Sequence, residues 1–406
     1  MNIWTDCKRM PLPQLLSFIV DNRGKTVPLS DHGTVQLIAT NCIRNENLYP
    51  SYDKVRHLST ETYKTWFRAH PVPGDILFVC KGTPGRVCMV PDPIDFCIAQ
   101  DMIALRCNNN LIYNWYLLAI LRSQEIQRQI ANTSVGDVIP HFKKQFLDQL
   151  LIPVPSMKVQ KEIGDFYSSF SLKVELNKKI NDNLLQQAQT LFKSWYVDFD
   201  PYGGIMPPDW TDGTIDDLAK EIICGKTPST KNPEYYGTDI PFITIPDMHG
   251  QIYAVTTERY LSDIGVSSQP KKTLPRNAIC VSCIGTAGLV TLVASESQTN
   301  QQINSIIPKD DYSPYYIYLL MKTLSEMINV LGQSGSTIVN LNKTQFGRIQ
   351  VLIPTVASMR DFDKKVSPLF MMILENQREN IHLVSLRDTL LPRLMSGEID
   401  VSNITG

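Results

Sequence analysis

No run of apolar residues in this 406-residue chain approaches the eighteen or so that a membrane-spanning helix requires. The first residues, from Met1 to Phe18, carry neither a long apolar stretch nor a small-residue cleavage site, so no signal peptide is expected and a cytoplasmic location is. Charge of one sign is lacking too. There are 39 Lys and Arg against 40 Asp and Glu, a net of -1, which weighs against a chain whose whole surface binds nucleic acid. The nine cysteines are odd in number and irregular in spacing, so no disulfide framework is expected; they read as reduced thiols buried as small hydrophobes. Hydrophobic residues at 43% and charged residues at 19% are enough for ordinary cores, and the length suits two to three domains.

What the chain does have is two long stretches of helical periodicity. Between 155 and 200 the apolar positions fall three and four apart, at Ile163, Phe166, Phe170, Val174, Ile180, Leu184, Ala188, Leu191 and Trp195, the stripe of a helix packing on a partner. Residues 355 to 401 repeat the pattern at Phe362, Val366, Leu369, Ile373, Leu383, Leu386, Leu390 and Leu394. At 1.5 Å per residue, a helix of about forty residues runs roughly 60 Å, and two of them can bury each other's stripes. The plainer alternative confines each helix to its own domain. It fits poorly with a mean helix length of about 11 to 12 residues, and stripes this long suit a coiled coil. Near the middle of each seam sits an asparagine, Asn177 and Asn376. The two are expected to face each other and fix the register, unless both point to solvent.

The same landmarks recur in the same order about 200 positions apart. Trp4-Thr5-Asp6 returns as Trp210-Thr211-Asp212, Gly24-Lys25-Thr26 as Gly225-Lys226-Thr227, and Gly82-Thr83-Pro84-Gly85 as Gly285-Thr286-Ala287-Gly288. Tyr116-Leu117-Leu118 returns as Tyr318-Leu319-Leu320, Lys143-Lys144-Gln145-Phe146 as Lys343-Thr344-Gln345-Phe346, and Leu151-Ile152-Pro153 as Leu352-Ile353-Pro354. Each tripeptide alone is a weak signal. Together, each copy closing on a long helix, they point to duplication.

The expected organisation is therefore a globular domain at 1–154, a helix at 155–200, a second domain at 201–354 and a second helix with its tail at 355–406. The fold class is mixed α/β. Runs such as Asp75-Ile76-Leu77-Phe78-Val79-Cys80 and Ala278-Ile279-Cys280-Val281-Ser282-Cys283 read as strands ending in Gly-rich turns, and helices are expected at 115–129 and 315–331. Two copies in one chain imply pseudo-twofold symmetry. Antiparallel packing of the long helices as a coiled coil would set the globular domains at opposite ends of a rod.

With these stretches in view, the chain resembles the DNA-specificity subunits of type I restriction-modification enzymes over its full length. Leu191-Phe192-Lys193-Ser194-Trp195-Tyr196-Val197-Asp198-Phe199-Asp200-Pro201 is similar to the end of that family's central spacer, and Leu390-Leu391-Pro392-Arg393-Leu394-Met395-Ser396-Gly397-Glu398-Ile399 to the end of its distal spacer. Ile152-Pro153-Val154-Pro155, with Gln160 and Ile163, matches the start of the central helix; Ile353-Pro354-Thr355-Val356 lacks the second proline, and Pro368 should kink the distal helix or mark its true first turn. The resemblance implies two target-recognition domains reading the halves of a split, asymmetric DNA site, about one helical turn or roughly 34 Å apart. It implies helices that set the spacing and dock two methyltransferase subunits, with a motor and restriction subunit joining for cleavage. The chain itself would be non-catalytic and hold no cofactor, S-adenosylmethionine belonging to the methyltransferase partner.

Candidate DNA contacts follow from residue chemistry. Arg and Gln suit guanine and adenine edges in the major groove, and Lys suits phosphates. In the first half these are Lys25 and Thr26, Lys81, Thr83 and Arg86 around the Gly-rich turn, and Lys143, Lys144 and Gln145 before a strand. The second half offers Lys226, Thr227, Gln301, Gln302, Asn304, Lys343 and Gln345. Each one singly reads equally well as a solvated loop residue; the loops are singled out as a set. Gly-Lys-Thr is not a nucleotide loop, because neither copy has the glycine five positions earlier.

Two other motifs fall short of their chemistry. Cys280-Val281-Ser282-Cys283 lacks the further ligands a zinc site needs, and Asn232-Pro233-Glu234-Tyr235 lacks the second proline of a base-holding methyltransferase motif. A self-sufficient DNA methyltransferase would need that motif and a cofactor-binding turn, and a duplicated protein-interaction scaffold would show no salt-sensitive duplex binding. Charge divides unevenly: residues 1–154 hold 16 Lys and Arg against 13 Asp and Glu, residues 201–354 hold 11 against 14. The first domain is accordingly expected to show the steeper salt dependence.

Overall fold

The computed structural model describes residues 1–22, 26–52, 55–134, 140–333 and 341–399. They divide into two compact units, Met1–Glu175 with the chain from His382 onward, and Leu176–Ile381. Each unit thus holds one globular half together with a stretch of both long helices.

In the first unit a four-stranded sheet runs in the order Leu16–Val20, Met102–Cys107, Ile76–Val79, Val87–Met89, beside a three-stranded sheet of Arg56–Leu58, Val35–Ile38 and Phe96–Ile98. Successive side chains of a strand point to opposite faces. Ile76 and Phe78 therefore enter one core while Leu77 and Val79 enter another, which is why this run is apolar without alternation. The second unit repeats the plan with a five-stranded sheet that includes Ala219–Cys224, Ile303–Pro308, Ile279–Ser282 and Val290–Val293, and a smaller sheet that pairs Ile240–Ile243 in parallel with Gln298–Thr299.

The helix expected at 115–129 is two helices, Asn114–Arg122 and Gln124–Thr133. Between them Ser123 is extended, and its hydroxyl accepts from the backbone N–H of Ile126 at 3.4 Å. A serine that caps a new helix breaks the old one. The second half also has two helices there, Pro314–Thr323 then Ser325–Gln333, but the residue between them is Leu324, not a serine, and it keeps near-helical angles.

The tripeptide matches are out of register in several places. The tyrosine hydroxyl that closes each domain belongs to Tyr116, donating to the Pro153 carbonyl at 2.8 Å, and in the second unit to Tyr316, donating to Leu352 at 2.7 Å; Tyr318 is not its counterpart. Leu12 N–H donates to Leu150 and Ile215 N–H to Ile349, so Leu150 corresponds to Ile349 and Pro354 to Pro155. The second copy therefore lacks the first proline, not the second. In the same way Lys143 and Asn342 occupy matching N-cap positions, which pairs Lys144 with Lys343.

The central helix is Met157–Tyr196 and the distal helix Val356–Met395. In the second unit they run antiparallel: Asn177 meets Asn380, Asn181 meets Asn376, and the Phe192 and Tyr196 rings lie 6.3 and 5.1 Å from Phe362. In the first unit Ile163, Phe166 and Tyr167 share a core with Leu391, Leu394 and Met395. Pro368 does not start the distal helix, which begins twelve residues earlier. Pro368 is exposed, as is Lys364, whose carbonyl loses its helical donor, so that carbonyl can turn to water. Thr355 starts the helix by accepting the Ser358 N–H at 3.3 Å.

The expected asparagine pair is also corrected. Asn177 donates to Glu379 at 2.6 Å and Asn380 at 2.9 Å, while Asn376 donates to Asn181 at 2.8 Å. Two cross-helix asparagine pairs, each offset by one turn, replace a single pair facing itself. Asn177 is fully buried, which removes the solvent-facing alternative for it.

Candidate nucleic-acid interface

In the second half, Gly225 needs the absence of a side chain: a Cβ there would stand 2.2 Å from the Asn300 carbonyl oxygen and 2.3 Å from Thr299 Oγ1. The Gly225-Lys226-Thr227 segment can therefore lie against residues 299–301. Lys226 N–H donates to Thr299 at 2.9 Å, and Thr227 Oγ1 donates to Gln301 Oε1 at 2.7 Å. Two buried glutamines hold this arrangement from behind. Gln269 Nε2 donates to the Lys226 carbonyl and to Gln298 Oε1, and Lys272 Nζ donates to the Cys224 carbonyl at 2.8 Å. Sequence reasoning named Lys226, Thr227 and Gln301 but missed Gln269, Gln298 and Lys272, whose signal is only tertiary.

Gln302 lies beside the second Gly-rich turn, its Nε2 3.6 Å from where a Cβ of Gly285 would be. Lys343 is exposed on the first turn of the helix Lys343–Gly347. Two candidates have other duties. Asn304 is 2% exposed on a strand and donates to the Leu341 carbonyl at 3.2 Å; the first half has the fully buried Ile103 at the matching point, so Asn304 does not reach a ligand. Gln345 accepts the Asn342 N–H in a capping box, which occupies its carbonyl oxygen.

In the first half, Gly82 and Gly85 both take positive φ, 86° and 88°, which turns Lys81, Thr83 and Arg86 over the end of the strand Ile76–Val79. Lys81 bridges His141, and Phe142 N–H donates to Cys80 at 2.7 Å, so Lys143, Lys144 and Gln145 follow directly from the same place. Lys81, Arg86, Lys143, Lys144 and Gln145 are exposed. Lys144 is exposed and paired with the half-buried Asp21 at 3.2 Å. Thr26 is exposed, and Lys25 lies outside the described residues.

The two cysteines at metal-like spacing cannot converge. Cys280 and Cys283 sit on opposite faces of their sheet, in separate cores, and burial pushes both thiols up to about 12. Pro233–Tyr235 is a short 3-10 turn whose carbonyls at Glu234 and Tyr235 accept from Ser262. A cleft of about 790 Å3 in the first unit, lined by Trp4, Arg122, Tyr167, Arg387 and Leu391 among others, holds none of the candidate residues. Among the described residues no helix is long and apolar enough to cross a membrane.

Two α/β halves, each presenting cationic and amide side chains from loops pinned to a buried sheet, define a duplicated recognition protein. The family model for the type I restriction modification DNA specificity domain matches twice, over residues 20–186 and 207–365. The chain is 33% identical over 399 residues to the type I restriction enzyme HindI specificity subunit of Haemophilus influenzae, covering 80% of this chain and 86% of that protein. It is 24% identical over 304 residues to the MjaIX specificity subunit of Methanocaldococcus jannaschii, covering 71% and 70%. The crystal structure of a type I restriction-modification S subunit from M. genitalium shares the fold, with a TM-score of 0.59 at 15% identity over 96% of each chain. The chain belongs to the DNA-specificity subunits of type I restriction-modification systems. It recognises DNA sequence through two specificity domains in tandem, and neither a self-sufficient methyltransferase nor a scaffold without DNA gains support.

Proposed function

We propose that this chain is the non-catalytic reader of its complex: each half recognises one part of a split, asymmetric DNA site, and the long helices recruit two methyltransferase subunits that bring S-adenosylmethionine. A motor and restriction subunit joins the same assembly for cleavage. The observation that supports two recruits is a repeated apolar exposure. Leu172 on the central helix is 43% exposed in the first unit, and Met371 on the distal helix is 48% exposed in the second. Counting from the matching helix starts, Met157 and Val356, these are the same position. Large apolar side chains at one position of two duplicated helices suit two copies of one partner.

The test is co-purification with the methyltransferase subunit followed by native mass measurement. The native chain should carry two copies, Leu172→Glu or Met371→Glu one, and the double variant none. Two copies retained by the double variant would contradict the docking assignment. Methyl transfer by the chain alone would contradict its non-catalytic role.

A further inference from the structure

The two halves carry one glutamine in a shared place that the tripeptide matches do not reveal. In the first half the strand Ile76–Val79 pairs Val79 with Met102; in the second, Ile279–Ser282 pairs Ser282 with Ile303. On the other side, the parallel pairs end at Ile38 with Ile98 and at Ile243 with Thr299. Three residues join the two sheets in each case, Ala99-Gln100-Asp101 and Asn300-Gln301-Gln302. The last carbonyl of each trio does the same work, Asp101 accepting from Cys80 N–H at 2.7 Å and Gln302 from Cys283 N–H at 2.8 Å. Gln100 and Gln301 are therefore structural counterparts, each at the middle of the crossing between sheets and one residue from the contact with the base of a Gly-rich turn.

Resting on the reading of this chain as a DNA-specificity subunit, we infer that Gln100 and Gln301 are matched specificity-determining residues, each reading an adenine in its own half-site. A glutamine amide meets adenine bidentately, Nε2 donating to N7 and Oε1 accepting from N6. Thr227 Oγ1 takes one lone pair of Gln301 Oε1 at 2.7 Å, which holds the amide plane and leaves Nε2 and the second lone pair for a base. Thr227 is thus a positioning residue. The flanking residues differ, Ala99 and Asp101 against Asn300 and Gln302, so the halves can share one base and differ around it.

The experiment maps methylated sites made by the complete complex carrying Gln100→Ala, Gln301→Ala, Thr227→Val or Thr227→Ser. Each glutamine variant should relax one adenine position in one half-site by about 10-fold or more, the two variants acting on different halves. Thr227→Val should weaken discrimination at the Gln301 position and Thr227→Ser should restore it. An unchanged motif, or both half-sites relaxed by one variant, overturns the glutamine assignment, and equal behaviour of Val and Ser overturns the role of Thr227. If an alanine variant loses methylation altogether, the isosteric Gln100→Glu or Gln301→Glu decides. A shift of preference toward cytosine supports the assignment, and retained adenine preference or no methylation at an unchanged melting temperature overturns it. A native complex with no split motif would sink the functional reading itself, whereas a native motif that the variants leave intact sinks only this inference.

Discussion

At the scale of single residues, Gln160 shows how the helix and the recognition domain are tied. It is 1% exposed, accepts the Tyr113 N–H at 2.9 Å, and donates to Leu111 and Pro155 at 3.1 and 3.0 Å. Gln160→Ala strands a buried N–H and two carbonyls, and should cost about 1–3 kcal/mol in a denaturant titration; a loss within error of zero would show that the bonds are redundant. The sequence marks Gln160 only as part of a motif, because two of its three partners, Leu111 and Tyr113, lie 49 and 47 positions away. Asn304 fails the opposite way: its residue type suggests a base contact, but the strand alternation turns it into the core, where Ile103 sits in the other half. Gln100 stayed hidden because its neighbours differ from those of Gln301, and only strand pairing aligns the two.

At the scale of elements, the long helices were legible because a stripe of apolar residues three and four apart is a local property that packing preserves. Their stagger was not. Asn177 meets Asn380, and Asn181 meets Asn376, because the antiparallel register is set by the whole seam and not by either asparagine's neighbours. Asn177→Leu should destabilise by about 1–3 kcal/mol, since Asn380 loses its partner, and adding Asn380→Leu should recover most of that loss. A double variant as unstable as the two single losses added would contradict the pairing. Phe362, fully buried between the Phe192 and Tyr196 rings, should cost about 3–5 kcal/mol on truncation to Ala. A cost below 1 kcal/mol would mean that the seam is loosely packed. The break at Ser123 could have been read from the sequence, as a serine followed by an acidic first turn marks a helix start.

At the scale of the whole molecule, a chain with no net cationic excess binds a polyanion by gathering its cations on loops. Lys81, Arg86 and Lys143 are exposed on segments that backbone bonds join in the first half, and Lys226 is two residues from the Cys224 carbonyl that Lys272 bonds in the second, although that half is net acidic. Each lost phosphate contact flattens the dependence of log K on log salt by about 0.9. Replacing Lys81, Arg86 and Lys143 with Ala in the full chain should therefore flatten it by about 2.7, against about 1.8 for replacing Lys226 and Lys343, and equal flattening would contradict the assignment of these side chains to phosphates. The central claim is that this chain alone supplies the sequence that its partners methylate. The most direct measurement is the map of methylated adenines in the host genome with and without it: the account predicts one split motif of two unlike halves that vanishes when the chain is deleted, and an unchanged map would contradict it.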